Sequence, residues 1–227
     1  MRLLGLMLFG FIVGVVLVAV GIYFNPFTAD SGVIAGVNTR VLSYGSPFSD
    51  GIAITHNGRT RLSKRPQSIP ELWEETISDS MLSVMVLHDQ DDVPIGVASR
   101  VSQFSESSEM LTRGIIVDDD WLITLAGEGS FYVDADSNLW PFLKETLIPV
   151  WYLDRPWEGP KNYRPTSGPG EGGSAIVTGA TGGFLERQGT AVESYQISGF
   201  DKERGPGEID ARFFLQWSDT TTSLAAE

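Results

Sequence analysis

Cysteine is absent from the 227-residue chain, and histidine occurs twice, as His56 and His88. The first absence excludes disulfides, thiolate metal sites and a cysteine nucleophile. The second leaves little with which to build a zinc centre or a histidine-based triad. Positive charge is scarce too: 16 Lys and Arg face 29 Asp and Glu, a formal charge of -13. Such a surface repels a nucleic-acid backbone, so no nucleic-acid partner is expected. No G-x-S-x-G nucleophile elbow, no G-x-G-x-x-G pattern and no Walker phosphate loop occurs in the sequence. The aspartates at 89, 91 and 92 and at 118, 119 and 120 lack the spacing of a calcium loop and read as solvated turns. No cofactor and no metal site is expected.

What the chain does have is one long apolar run. Residues 3 to 24, LLGLMLFGFIVGVVLVAVGIYF, carry no charge. At about 1.5 Å per residue the run crosses a hydrocarbon core of about 30 Å. A cleaved signal peptide would show a shorter apolar core of about 7 to 15 residues and a small-x-small cleavage site. Residues 1–24 are therefore expected to be a transmembrane anchor. Arg2 precedes the span and no Lys or Arg follows until Arg40, which predicts a cytoplasmic N-terminus and a periplasmic or otherwise extracytoplasmic C-terminal domain. Gly10, Gly14 and Gly21 share one helical face, where a second transmembrane helix can approach closely.

Residues 25–50, rich in Ser, Gly, Asn and Pro, suit a tether. In 51–80 the Asn57-Gly58 pair signals a hairpin, and Ser68-Ile69-Pro70-Glu71 makes a capping box for a short helix over about 69 to 79. Arg59, Arg61, Lys64 and Arg65 form the one basic cluster, read as a local counterweight on an acidic protein. From residue 81 the pattern turns to β. MLSVMVLH, 81–88, reads as a buried strand, and IGVASRVSQF, 95–104, as another. In 121–136 Trp121, Ile123, Leu125, Phe131, Val133 and Ala135 share one face, with Thr124, Glu128, Ser130, Tyr132 and Asp134 on the other. Ile209, Ala211, Phe213, Leu215 and Trp217 repeat the alternation near the end. Long strands with one apolar face predict a closed or nearly closed antiparallel β-barrel over about 81–220. Residues 139–157 interrupt it with Trp140, Trp151 and Trp157, an excursion expected to contact a partner subunit or the membrane, or to pack on the domain's own core.

Residues 174–197 hold Thr178, Gly179, Thr181, Gly182, Phe184 and Gly189 in a strand-turn-strand arrangement. This resembles the signature of the allene oxide cyclase and dirigent-type barrels, and the likeness extends over roughly 81–217. The resemblance implies a calycin-like barrel and a cofactor-free cyclase or isomerase acting on a lipophilic molecule. Glu186 stands where that turn often has Gly, Gly183 where a variable residue is usual, and the anchor is foreign to the plant enzymes. The family's catalytic residues have no match here, so activity does not follow from fold.

Candidate acid-base groups come from the polar faces of the strands: Arg100, Glu128, Tyr132, Glu193, Tyr195 and Arg212. They line a charged cavity if the apolar faces point outward and are solvated if those faces point inward. Two functions compete. The preferred one is an accessory or binding subunit whose helix packs against other transmembrane helices of a larger complex. The alternative is an anchored cyclase, isomerase or binding protein for a lipophilic small molecule.

Overall fold

A computed structural model describes residues 2–24, 39–46, 51–55, 80–109, 113–202 and 205–218. The apolar run forms one helix, α1 (Arg2–Tyr23), of which Leu4–Tyr23 is long and apolar enough to cross a membrane and is not buried against the rest of the chain. The strands are β1 (Thr39–Tyr44), β2 (Gly51–Thr55), β3 (Met81–His88), β4 (Pro94–Phe104), β5 (Ile116–Leu125) and β6 (Gly129–Asn138). An excursion follows: α2 (Trp140–Phe142), a π-helical turn (Leu143–Leu147) and α3 (Ile148–Leu153). The chain then forms β7 (Trp157–Tyr163), β8 (Thr166–Gly168), β9 (Ala175–Gly179), β10 (Gln188–Asp201), β11 (Gly205–Pro206) and β12 (Ile209–Trp217).

Eight of these strands close an antiparallel barrel in the order β1-β12-β10-β9-β6-β5-β4-β3, with Ser43 against His88 completing the circle from β1 to β3. β2 extends the sheet from the other half of β3, where Gly51–Thr55 pair with Met85–Met81. The short strands β7, β8 and β11 pair with β10, β6 and β10 outside the circle.

Period-two patterning explains the closure. Trp121, Ile123, Leu125, Phe131, Val133, Ala135, Ala211, Phe213 and Leu215 all face the interior and are buried. Each fully buried large side chain contributes about 1.5–3 kcal/mol relative to exposure. Trp121 meets Phe213 edge-on at 4.6 Å, and Tyr44 leans on both. At one end Phe184 stacks on Trp217 at 5.2 Å and abuts Phe131, closing the interior with aromatic rings. The turn that delivers Phe184 needs Gly179, where an added Cβ would fall 1.5 Å from the Phe184 carbonyl oxygen.

The strands depart from the sequence expectations at β1 and at β3. The tether expected over 25–50 gives way at Thr39–Tyr44 to a barrel strand, because Leu42 and Tyr44 have the inward parity that the gap between β12 and β3 requires. MLSVMVLH is not buried on both faces: Val84 and Val86 point outward, since a barrel wall has only one interior side. Residues 25–38, the Asn57-Gly58 hairpin and the helix expected near 69–79 lie outside the described residues.

The excursion packs on the far half of β10. Phe142, Leu147, Val150, Tyr163, Ile197 and Phe200 form a second small core beside the barrel. Thr146 and Tyr163 share a hydrogen bond of 2.6 Å inside it.

Candidate functional site

The two ends of the barrel interior differ in chemistry. Near the Phe184 plug the inward row reads Leu87, Gly96, Leu125 and Gly129, which pair across β3 to β6. Toward the other end the same alternation brings polar side chains inward. β3 supplies Ser83, β4 Arg100 and Ser102, β5 Asp119, β6 Ser137, β10 Glu193 and Tyr195, and β1 Tyr44. Glu193 and Asp119 are only 5% and 4% exposed.

Asp119 and Glu193 are held differently. Asp119 accepts hydrogen bonds from Ser102 on one oxygen and from Ser137, at 2.6 Å, on the other. Glu193 accepts from the Tyr44 hydroxyl, while its own N–H donates to Thr166 Oγ1 at 2.8 Å, which ties β8 to the polar end. Arg100 stands between the two carboxylates. Its Nε lies 3.9 Å from Asp119 Oδ1, its Nη1 lies 4.0 Å from Glu193 Oε1, and its guanidinium sits 4.8 Å over the Trp121 ring. The Arg100 side chain keeps 15% exposure, which gives the cluster contact with solvent.

One arginine facing two buried carboxylates sets the electrostatics. Burial opposes the charge on Arg100, but Asp119 and then Glu193 outweigh it and hold its proton affinity above the usual value. Burial pushes the Glu193 carboxyl above the ordinary glutamate range; Arg100 pulls it back in part, Asp119 adds to the rise and the Tyr44 hydrogen bond opposes it. Tyr195 is pushed far up by burial and by Glu193. The arrangement pairs a fixed ionic couple with a carboxyl whose proton is held more tightly than usual, the property asked of an internal acid or base.

The polar candidates from the sequence separate into two groups. Arg100, Glu193 and Tyr195 come together in the interior, because they share strand parity with buried Ala98, Ala191 and Ile197. Glu128, Tyr132 and Arg212 stand on the outside. Glu128 forms a bidentate ion pair with Arg40 at 2.5 and 2.7 Å, Tyr132 is 54% exposed, and Arg212 pairs with Asp210 at 2.9 Å. The reading that apolar faces directed inward would leave every candidate solvated is corrected by the first group.

Asp119, Tyr44, Ser83, Ser102, Ser137 and Thr166 were not singled out by sequence. The aspartates at 118, 119 and 120 do not form the expected solvated turn: all three lie in β5, where Asp119 shares the buried face of Trp121, two residues away. Its parity was the available signal. The other acidic group does form a turn, in which Asp89 accepts from the N–H groups of Asp91 and Val93, both at 2.9 Å.

Of the tryptophans expected to touch a partner or the membrane, Trp140 is buried within the domain and Trp157 packs against the second core. Trp151 alone is exposed, in a run with Tyr152 and Leu153. Gly10, Gly14 and Gly21 have nothing within 4 Å of where a Cβ would stand, so their helix face is open. In the motif turn Gly182 has φ of 61°, and an added Cβ on Gly189 would fall 2.3 Å from the Gln216 carbonyl oxygen.

No protein-family model matches the chain, and no curated protein matches it. Among solved structures 14 chains match. One is a nonspecific heme-binding cyclase that catalyses a cycloaddition during neoabyssomicin biosynthesis, 10% identical, with a TM-score of 0.42 over 84% of this chain and 72% of that one.

Proposed function

We propose that the protein is a membrane-anchored barrel that takes a lipophilic small molecule into the polar end of its interior and moves a proton on it without a cofactor. This is the cyclase or isomerase class implied by the allene oxide cyclase resemblance. The observation that carries the reading is Glu193: a buried carboxyl with raised proton affinity, beside an Arg100–Asp119 couple, at the polar end of a barrel whose other end is apolar. In this reading Glu193 is the acid or base, Arg100 fixes its charge environment, and Tyr44 orients it. Glu128, Tyr132 and Arg212 have no part in it.

The anchor gives such a barrel access to molecules dissolved in a bilayer. Arg2 before α1 and the lack of Lys or Arg from there to Arg40 support a reading with the N-terminus in the cytoplasm and the barrel on the extracytoplasmic side. Lys144, at the base of the excursion, lies 5.9 Å from the ring of Tyr23 at the outer end of α1. Trp151, Tyr152 and Leu153 then rest at headgroup level.

The test is native mass spectrometry of the full chain extracted in mild detergent, followed by return of any released lipophile to the emptied protein and to its Glu193→Gln variant. A bound lipophile that is chemically altered by the wild-type protein and unaltered by the variant supports the reading. A barrel that carries nothing and converts nothing from a lipid extract overturns it.

The spacing of Gly10, Gly14 and Gly21 on one face of a long apolar helix supports a second reading, an accessory subunit packed against other transmembrane helices. Co-migration with a stoichiometric set of membrane proteins, lost in Gly14→Leu, is its signature.

A further inference from the structure

Three polar residues form one continuous inward row across adjacent strands. Ser83 of β3 pairs with Arg100 of β4, and Arg100 pairs with Trp121 of β5. With strands about 4.8 Å apart the row spans about 10 Å of the barrel wall. Each member carries a buried polar atom with no hydrogen-bond partner among the described residues: Ser83 Oγ, Trp121 Nε1 and Arg100 Nε, which faces Asp119 Oδ1 only at 3.9 Å, beyond hydrogen-bond reach. Ser83 and Trp121 are each only 1% exposed.

Leaving one buried donor unpaired is costly, and leaving three in a single row calls for a reason. Chemistry narrows the missing partner. The Nε–H of arginine and the Nε1–H of tryptophan only donate, and a serine hydroxyl can donate as well. The row therefore asks for an acceptor with several lone pairs, and most strongly for an oxygen that carries negative charge. It lies against Glu193, which is 4.0 Å from the Arg100 guanidinium.

We propose that Ser83, Arg100 and Trp121 form an oxyanion-binding row and that the substrate is an enolisable lipophilic carbonyl compound whose oxygen it holds while Glu193 exchanges the α-proton. This rests on the interior-site reading given above and names its substrate class. The step balances without a co-reactant. The Glu193 carboxylate takes the α-proton, the C–H electron pair passes into the enolate, and the negative charge moves from Glu193 to the substrate oxygen. Net charge in the site is unchanged. Return of the proton from Glu193 to another carbon of the conjugated system completes an isomerisation. Donors fixed in a folded wall need no reorganisation as that charge develops. Asp119 keeps Arg100 in place and, held by Ser102 and Ser137, takes no part in the transfer.

The probe is 4-nitrophenolate, an enolate-like anion, with 4-nitroanisole as the matched ether that carries no charge. Binding is measured by equilibrium dialysis against the full chain in lipid nanodiscs, with empty nanodiscs as the blank. The expected result is at least about tenfold tighter binding of the phenolate than of the ether, reduced about tenfold in Ser83→Ala and in Trp121→Phe, with ether binding unchanged. Ser83→Ala removes a single hydroxyl and keeps the question answerable if Trp121→Phe perturbs the core. Equal affinity for both probes, or equal loss of both in Ser83→Ala, overturns the oxyanion row while the lipophile-binding reading stands. Binding of neither probe overturns the row and counts against the interior site as well.

Discussion

The hydroxyl of Tyr44 on β1 donates to the carboxylate of Glu193 on β10, across the intervening strand β12. The β12 residue that pairs with Tyr44 is Ala211, whose methyl leaves room for the contact. Tyr44→Phe removes the donor and keeps the ring against Trp121 and Phe213. It leaves a buried carboxyl oxygen unpaired, at a cost of about 1–3 kcal/mol. Because that hydrogen bond holds the Glu193 proton affinity down, the variant raises it further. Chemical denaturation measures the first effect, and the carboxyl carbon shift of isotopically labelled Glu193 followed against pH measures the second. An unchanged midpoint together with an unchanged titration would falsify the assigned role of Tyr44.

Glu193 links stability to pH with a definite sign. Its folded-state proton affinity lies above the ordinary value of 4.5, so the folded protein holds the proton where the unfolded chain has released it. Stability contributed by this group falls as pH rises from about 4.5 through the raised value and is level below and above that window. The groups that face it are Tyr44 from β1, Arg100 from β4, Asp119 from β5 and Tyr195 beside it on β10. Glu193→Gln removes the dependence. Subtracting the variant's stability profile from that of the wild type isolates this contribution, which should decline across the window. A flat difference curve rules the linkage out.

The motif turn stores a removable cost. Glu186 adopts φ of 63°, in the left-handed region that disfavours a side chain, and its own side chain is exposed. Glu186→Gly relieves about 1–2 kcal/mol of backbone cost and gives back part of it as unfolded-state entropy. The net gain is about 0.5–1 kcal/mol, or a Tm higher by about 1–4 °C, readable by calorimetry. Glu186→Ala retains the Cβ and brings no such gain.

Much of the fold was legible because barrel strands obey one rule. The alternation of Trp121, Ile123, Leu125, Phe131 and Val133 is a direct print of wall geometry, and so is that of Ala211, Phe213 and Leu215. β1 was hidden because TRVLSY has only six residues and sits in a segment whose composition reads as linker; its place comes from long-range pairing with β12. The site was half legible for a related reason. Polar residues were assigned to the polar face as a class, whereas parity counted from Ala191 and Ile197 puts Glu193 and Tyr195 inside, and parity counted from Trp121 does the same for Asp119. A charged residue in phase with a buried stripe is the informative signal, because burial makes it costly. The Tyr44–Glu193 contact spans 149 positions in sequence, and no local pattern encodes it.

The tip of the excursion is an exposed apolar run. α3 ends at Asp154 in a left-handed conformation, and Asp154 is clamped by Lys202, so Trp151, Tyr152 and Leu153 project from a fixed base. They are 57%, 86% and 67% exposed, three large apolar residues in succession on a strongly acidic protein. Tryptophan and tyrosine favour the membrane-water interface, where the ring is buried and the polar atom stays wet. In nanodiscs, the fluorescence difference between wild type and Trp151→Phe is therefore expected to be quenched by lipids brominated high on the acyl chain. Lipids brominated near the bilayer midplane should quench it little, since an interfacial side chain reaches only about 5–10 Å below the headgroups. Quenching by an aqueous agent such as iodide, with none from either lipid, would place the tip in water and return Trp151 to the role of a contact for another protein.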